Sequence, residues 1–224
     1  MTSFFEAFDP GTRHAREQKD LDKVLVVQAK RGGTGPQPLD LDSGRIVLVR
    51  HGERVAANAP QVRRATAADL PRAGSVTVRT YLDGSDLAPT DSCLEVLRDA
   101  TGRDADAVVL VAVERDANGR EQVVGTVTWC PPGSTLREVG ADDEGELRMP
   151  AVDPRAQGHG IGRLLVAEVV SLARAARLSA VVLSTADWMT AAHRLYRSMG
   201  FQHLPERDWS PREDIALQVF RLEF

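Results

Sequence analysis

Short apolar runs separated by polar turns occupy the middle of the chain, and their length is that of β-strands. Ala107–Val113, Gln122–Trp129 and Glu146–Val152 are three such runs. Asn118-Gly119 lies between the first two, and Asn-Gly is the strongest short signal for a β-hairpin. We therefore predict three strands here, the first two of which form a hairpin.

Helical periodicity appears after residue 160. One apolar face recurs at helical spacing and consists of Ile161, Leu164, Leu165, Val169, Leu172 and Ala176. A second helix is predicted over Trp188–Met199 and stops at Gly200, because glycine readily takes the left-handed conformation of a helix end. The other predicted elements are the strands Gln61–Thr66, Ala180–Leu183, Phe201–Leu204 and Ile215–Leu222 and helices around Ala67–Tyr81 and Asp91–Asp99.

Residues 1–60 differ from residues 61–224 in the clarity of their predicted secondary structure. The turn-rich segment Arg31–Pro38 breaks the early part, and Ala56–Pro60 has the composition of a linker. A chain of 224 residues has room for one domain and an extension. We predict an N-terminal extension over residues 1–60 and a domain over 61–224. The extension has three open roles: packing on the sheet, covering a substrate cleft, or forming a homodimer.

Composition excludes several classes of protein. Hydrophobic residues make up 42% and charged residues 27%, as in soluble globular proteins, and no apolar run approaches the roughly 20 residues of a membrane span. The net charge of −4 argues against nucleic acid as a partner. The two cysteines lack metal-ligand spacing, and the first 20 residues lack the features of a secretory signal. We expect a cytoplasmic protein without a metal.

A glycine-rich turn leads into the first of the two late helices. It is Gln157-Gly158-His159-Gly160-Ile161-Gly162, followed by Arg163. Unpaired amides and the helix dipole favour an anion at such a position, and glycines let the backbone approach a pyrophosphate closely. A bound phosphate would also relieve the unfavourable position of Arg163 at the positive end of the dipole. A tight connection without any ligand is the alternative.

A Rossmann dinucleotide site is disfavoured for the same turn. That fingerprint is G-x-G-x-x-G, whereas Leu165 stands here at the place of its last glycine. The fingerprint also needs an acidic residue at the end of the next strand. Ala180–Leu183 instead continues into Ser184 and Thr185.

Two motifs together resemble the GCN5-related N-acetyltransferase (GNAT) superfamily. Val152-Asp153-Pro154 with Gln157-x-x-Gly160-x-Gly162 is the first, and Ala192-x-x-Leu195-Tyr196-x-x-x-Gly200-Phe201 is the second. The resemblance covers roughly residues 61–224. It implies a mixed α/β (α+β) fold, in which a central, mostly antiparallel sheet is flanked by helices. The three strands named first would be antiparallel neighbours, and Ala180–Leu183 would run parallel to the third.

The resemblance also implies acetyl-coenzyme A as cosubstrate. Its pyrophosphate would lie on the backbone of Gln157, Gly158, His159, Gly160, Ile161 and Gly162, near Arg163. Main-chain groups of Ala151 and Val152 would bind the pantetheine arm and the thioester carbonyl, because Pro150 has no N–H. One departure is Met189, where many members have an asparagine that binds the pantetheine; Thr190 is a candidate substitute.

The implied reaction is direct attack of a primary amine on the thioester, and the acceptor would be a small molecule or a peptide. Neutralising a lysine-like amine at pH 7 costs on the order of 4 kcal/mol, so a carboxylate must accept its proton. Glu146, five residues before Ala151, is the predicted base, with Glu144 as the alternative. Tyr196 is the predicted general acid, unless it is only a core aromatic. Acidic residues near the entrance favour a cationic amine.

Two further functions stay open. Arg50-His51-Gly52 after a predicted strand resembles the start of histidine phosphatases, whose chemistry uses the histidine as phosphoryl acceptor. A non-catalytic coenzyme-A-binding regulatory module is the other. Trp188 and the run Arg207–Pro211 flank the expected acceptor end, where they either line the amine pocket or form a packed loop.

Overall fold

A computed structural model describes residues 59–84, 93–212 and 215–224. The predicted features of residues 1–58, including Arg50-His51-Gly52, lie outside these described residues. Within them the helices are α1 (Leu70–Gly84), α2 (Cys93–Arg98), α3 (Ala100–Asp106), α4 (Ile161–Ala175) and α5 (Thr190–Ser198). The strands are β1 (Gln61–Arg64), β2 (Val108–Arg115), β3 (Glu121–Cys130), β4 (Glu144–Val152), β5 (Ala180–Ala186), β6 (Gln202–His203), β7 (Trp209–Arg212) and β8 (Ile215–Glu223).

In the part of the chain that the structure describes, the eight strands form one sheet. Its order is β1-β2-β3-β4-β5-β8-β6, and β7 pairs with β8. β2, β3 and β4 are antiparallel neighbours, and β5 runs parallel to β4. These pairings and the mixed fold confirm the predictions. No helix among the described residues has the length and apolar character needed to cross a bilayer.

The helical prediction was wrong in one place. The stretch predicted as a helix around Asp91–Asp99 is followed directly by α3, which the sequence analysis missed. Asp99 separates the two helices, because its side chain accepts a hydrogen bond from the N–H of Gly102 at 2.7 Å and so caps α3. The segment after residue 208, left open as a loop, contains the short strand β7.

The helices lie on two opposite faces of the sheet. Along β2, Leu110 and Ala112 belong to the apolar cluster that includes α4 and α5, whereas Val109 and Val111 belong to the cluster that includes α1. Successive side chains of a strand point to opposite faces. We therefore call the two sides the α4 face and the α1 face.

The sheet opens between β4 and β5. These strands pair only over Glu144–Glu146 and Ala180–Val182, although both continue beyond that point. On the other edge of β4 the register steps from Thr128↔Arg148 to Thr126↔Ala151. β4 therefore carries one extra residue there, and such a bulge bends a strand. Met149, with a φ of 49°, lies in it, next to Pro150, which cannot donate to a ladder.

Trp129 fixes the start of β4 by close packing. It is 4% exposed, and a Cβ atom added to Gly145 would lie 1.7 Å from its Cη2 atom. Only glycine leaves room for the indole at this point of β4.

We predict that Gly145→Ala lowers the free energy of unfolding by about 2–3 kcal/mol, because overpacking forces the buried indole to move. Gly84→Ala is the matched control, since no described atom lies within 4 Å of an added Cβ there. The control is expected to be neutral or slightly stabilising. Urea denaturation of both variants tests this, and equal stability of the two would contradict it.

Candidate active site

The turn between β4 and α4 presents unpaired amides to solvent. Gly158 and Gly160 have φ angles of 80° and 81°, and no side chain caps the N-terminus of α4. A Cβ added to either glycine would meet nothing within 4 Å. The predicted anion site is therefore open, and it combines free N–H groups with the positive end of the helix dipole.

Side chains around this turn make few contacts. Gln157, His159 and Arg163 are exposed. Arg163 Nη2 donates to Ser198 Oγ at 2.5 Å, which links α4 to α5, and its other guanidinium nitrogens form no hydrogen bond with described residues. Gly162 packs closely against α5, since an added Cβ would lie 3.3 Å from Leu195 Cδ2.

The main chain of Val152 faces the opening between β4 and β5. The N–H of Asp153 donates to the carbonyl of Val124 on β3 at 2.8 Å, and hydrogen-bonded pairs alternate along an antiparallel ladder. Ala151, which pairs with Thr126, therefore directs its N–H and C=O toward β3, and Val152 directs its own toward the opening. The geometry favours Val152 and not Ala151 for the predicted main-chain contacts.

Two side chains confirm the direction of the Val152 carbonyl. Thr80 Oγ1, from α1, donates to it at 2.9 Å, and Gln157 Nε2 donates to it at 3.2 Å. The end of the opening near the glycine turn is thus lined by polar groups from α1 and from the turn itself.

Tyr196 belongs to the α4 face of the opening. It is 3% exposed and packs in the cluster of α4 and α5, with ring centroids 5.8 Å from Phe201 and 6.2 Å from Phe220. Burial raises the pKa of the phenol well above its usual value, and Tyr81 adds to this effect. Its hydroxyl forms no hydrogen bond with any described residue. The phenol therefore stays protonated at neutral pH, as a proton donor must.

An uncapped helix end, an exposed main chain and a buried phenol thus surround one opening in the sheet. A family model described as the Acetyltransferase (GNAT) family matches residues 78–201, which is more than half of the 224 residues. The chain belongs to the acetyltransferase (GNAT) family. The resemblance predicted from the two motifs is confirmed.

Relatives within the GNAT family are similar over different shares of the chain. N-acetylaspartate synthetase of Homo sapiens is 42% identical over 67 residues, and the match covers 30% of this chain and 22% of that protein. The chain thus spans about a fifth of the synthetases it matches. Mycothiol acetyltransferase of Nocardia farcinica (strain IFM 10152) is 26% identical over 205 residues, covering 84% of this chain and 68% of that protein.

Solved structures share the fold. Ribosomal-protein-alanine N-acetyltransferase from Brucella melitensis superposes with a TM-score of 0.52 at 25% identity, covering 73% of this chain and 99% of that one. The yncA protein from Salmonella typhimurium, solved with its cofactor acetyl-CoA, has a TM-score of 0.53 at 24% identity, covering 74% of this chain and 94% of that one. At 24% identity the second similarity shows a shared fold and no more.

Glu146, the predicted base, is buried in a backbone cradle. It is 1% exposed, and its Oε2 accepts the N–H groups of Glu138, Val139 and Gly140 at 2.9, 2.9 and 3.0 Å. A base must reach the amine that it deprotonates, and this carboxylate is almost fully buried with one oxygen occupied by three amides. The geometry favours an anchoring role for Glu146 over the predicted one.

Glu144, the alternative base, is an ionic anchor. It is 3% exposed and accepts hydrogen bonds from Arg207 Nη1 at 2.8 Å, Arg221 Nε at 2.7 Å and the N–H of Ala141 at 3.0 Å. Burial alone would raise the pKa of this carboxyl, but the Ala141 amide and the two guanidinium groups outweigh burial and lower it. These contacts leave Glu144 ionised and fully occupied, which does not suit a base.

The expected acceptor end of the opening is partly apolar. A small cavity beyond β5 is lined by Tyr81, Ser184, Thr185, Ala186, Trp188, Met189 and Leu217. Trp188 therefore lines a cavity, while Arg207 belongs to the anchor around Glu144. Thr190, the candidate substitute for the family asparagine, is exposed at the first position of α5.

Four residues near the opening escaped the sequence analysis: Thr80, Tyr81, Glu138 and Arg148. Burial raises the pKa of Tyr81 to about 12, and Arg148 opposes this rise, so the two lie near each other on the α1 face. Leu147 of β4 lies on the α4 face. Because side chains alternate along a strand, the next residue, Arg148, could have been placed on the α1 face. No local pattern identifies the other three, because tertiary contacts bring them to the opening.

We predict that Glu146→Ala lowers the free energy of unfolding by about 3 kcal/mol, since three part-buried N–H groups lose a charged acceptor. Glu121→Ala is the control: its pairs with Arg63 and Arg115 are at the surface, where such pairs contribute about 1 kcal/mol or less. Thermal and urea denaturation measure both. A loss no larger than that of the control would refute the anchoring role.

Proposed function

We propose that the protein transfers an acetyl group from acetyl-coenzyme A to a primary amine by direct attack on the thioester. The observation that supports it most is the opening between β4 and β5, which has the uncapped N-terminus of α4 at one end and Tyr196 at its side. The N-terminus of α4 can hold a diphosphate, and Tyr196 can protonate a leaving thiolate. Family membership agrees with this chemistry.

The residues present fit acetyl-coenzyme A. In the proposal, backbone N–H groups of the turn Gln157–Gly162 hold the diphosphate, because two left-handed glycines keep the approach free of Cβ atoms. Arg163 and His159 are exposed beside it and supply positive charge or donors. Val152 binds the pantetheine arm through its main chain, as strands bind one another.

Two groups lower the barrier in this proposal. An N–H aimed at the thioester oxygen stabilises the negative charge that develops during attack, and Val152 offers one on the edge of the opening. Tyr196 gives its proton to the thiolate as the carbon–sulfur bond breaks. Because burial keeps the phenol protonated, the proton is present when the thiolate leaves.

The acceptor is proposed as an amine on a small molecule or a peptide. The expected preference for a cationic amine loses its basis, because Glu144 is buried against Arg207 and Arg221 and Glu146 is buried against backbone amides. The relatives named above carry names that refer to aspartate, mycothiol and ribosomal-protein alanine. A panel of acceptors should therefore contain acidic, neutral and cationic amines alike.

We expect titration calorimetry to show acetyl-coenzyme A binding, and thiol detection to show turnover with at least one amine of that panel. Incubation with p-nitrophenyl phosphate should release no phenol. Binding without turnover across the panel would support the regulatory module instead, and phenol release would support the phosphatase motif Arg50-His51-Gly52.

Replacing Tyr196 by Phe removes the proton donor and leaves the packed ring in place. We predict that kcat falls about 100-fold, within the range typical of general acids, while the Kd of acetyl-coenzyme A stays within about two-fold and the Tm is unchanged. Steady-state kinetics with calorimetry measure the three quantities. Unchanged kcat would leave Tyr196 as a core aromatic only.

A further inference from the structure

The connection between β3 and β4, residues 131–143, is fixed onto the protein at several points. Besides the amides held by Glu146, Arg148 donates to the carbonyl of Leu136 and Arg207 donates to that of Val139. Asp106 accepts from the N–H groups of Thr135 and Leu136 at 2.7 and 3.2 Å. Charged side chains, among them the buried Glu146 and the exposed Asp106, thus hold an otherwise irregular segment against the protein.

This segment carries a carboxylate that points inward. Glu138 as a whole residue is exposed, yet its side chain is 23% exposed because it turns toward Arg148. Its Oε1 lies 2.8 Å from Arg148 Nη2. Its Oε2 accepts no hydrogen bond from any described residue, so one oxygen is oriented by Arg148 and the other is available.

Glu138 lies where β4 and β5 separate. The last pair of these strands is Glu146↔Val182, and Arg148 follows two residues later on the same face of β4. That is the α1 face, where Tyr81 packs against the apolar cluster that contains Met149 of β4. Tyr196 reaches the opening from the other face, in the cluster that contains Leu147 of β4 and Leu183 of β5. The carboxylate and the phenol thus approach one opening from opposite faces.

The electrostatics of Glu138 suit proton transfer. Burial raises the pKa of this carboxyl, Arg148 lowers it, and the negative charge of Glu146 raises it further, so that it ends above its ordinary value. A base is most efficient when its pKa lies close to the working pH. Glu144 differs, since its pKa is lowered and its oxygens are taken by Arg207 and Arg221.

We propose that Glu138 is the general base that takes the proton from the acceptor ammonium through its free Oε2, and that Glu146 and Arg148 are positioning residues that hold it there. This rests on the proposed acetyl transfer. An N–H bond of the ammonium breaks, its electron pair stays on nitrogen, and the proton moves to Glu138. The neutral nitrogen then attacks the thioester carbon, the carbon–sulfur bond breaks, and the sulfur takes a proton from Tyr196. The attacking nitrogen loses its second excess proton to solvent as the amide forms, and the Tyr196 phenolate regains a proton from solvent.

An ordinary surface ion pair between Glu138 and Arg148 is the competing explanation. Such a pair would leave kcat/KM unaffected or lower it equally at every pH. A base acts only on the protonated amine, so its loss matters less as the amine becomes neutral in solution. The pH dependence of the defect therefore separates the two explanations.

The test compares Glu138→Gln with wild type from about pH 6.5 to 9.5, using an amine that wild type acetylates. We expect kcat/KM to fall about 100-fold at pH 7 and the defect to shrink several-fold toward the pKa of the amine, with the Kd of acetyl-coenzyme A unchanged. Glu95→Gln, an exposed position on α2, is the matched control and should equal wild type. Among the described residues, three charged or titratable groups face Glu138: Arg148 and Glu146 on β4 and Tyr81 on α1. The pH dependence of kcat/KM is therefore also recorded for Tyr81→Phe.

A defect of the same size at every pH, or none at all, would overturn the assignment of Glu138. A Tyr81→Phe variant with the same pH-dependent defect would overturn it too, since the titrating group would then not be Glu138 alone. If the wild-type protein acetylates no amine at all, that result contradicts the proposed acetyl transfer and not the assignment of Glu138. Glu146→Gln should lower kcat/KM and keep the shape of the Glu138-dependent profile; a profile like that of Glu138→Gln would return the role of base to Glu146.

Discussion

The separation of β4 from β5 is the constraint on which the rest of the site depends. Pairing ends at Glu146↔Val182, and the bulge at Met149 turns β4 away from its neighbour. A continuous sheet would pair the main chain of Val152 with β5 and separate the two faces completely. Because the strands part, this edge of β4 is left without a strand partner, and groups from both faces reach the same space.

The carboxylates of β4 are held by partners of their own and so stabilise this open sheet. Glu144 joins Arg207 and Arg221, so it ties the start of β4 to β8 and the segment before β7. Glu146 collects three amides of the preceding connection. Buried carboxylates need such partners, and here the partners are also the segments that frame the acceptor side. Stability and placement therefore come from the same contacts.

Sequence patterns predicted the sheet and the open glycine turn well, because both depend on local rules. The signals for these elements are local, because each one determines the backbone conformation of its own segment. They are the length of the strands, the Asn-Gly turn and the glycines at 158, 160 and 162. Glu146 was predicted as the base because spacing places it on a strand, but spacing does not show that three backbone amides hold one of its oxygens. Glu138 was missed because only long-range contacts with Arg148 and Glu146 turn its side chain inward.

The two ends of the proposed site differ in which groups bind the ligand. The cosubstrate is bound mainly by main-chain groups, so the proposal tolerates a side-chain change such as Met189 at the usual asparagine position. The proposed acceptor side is built from side chains: Tyr81 and Trp188 line the small cavity, and Glu138, paired with Arg148, is the proposed base. Substitution there changes shape and charge without disturbing the open sheet. Members of one family can thus share a fold and a donor while their acceptors differ, and the acceptor of this protein follows from these side chains and not from its membership.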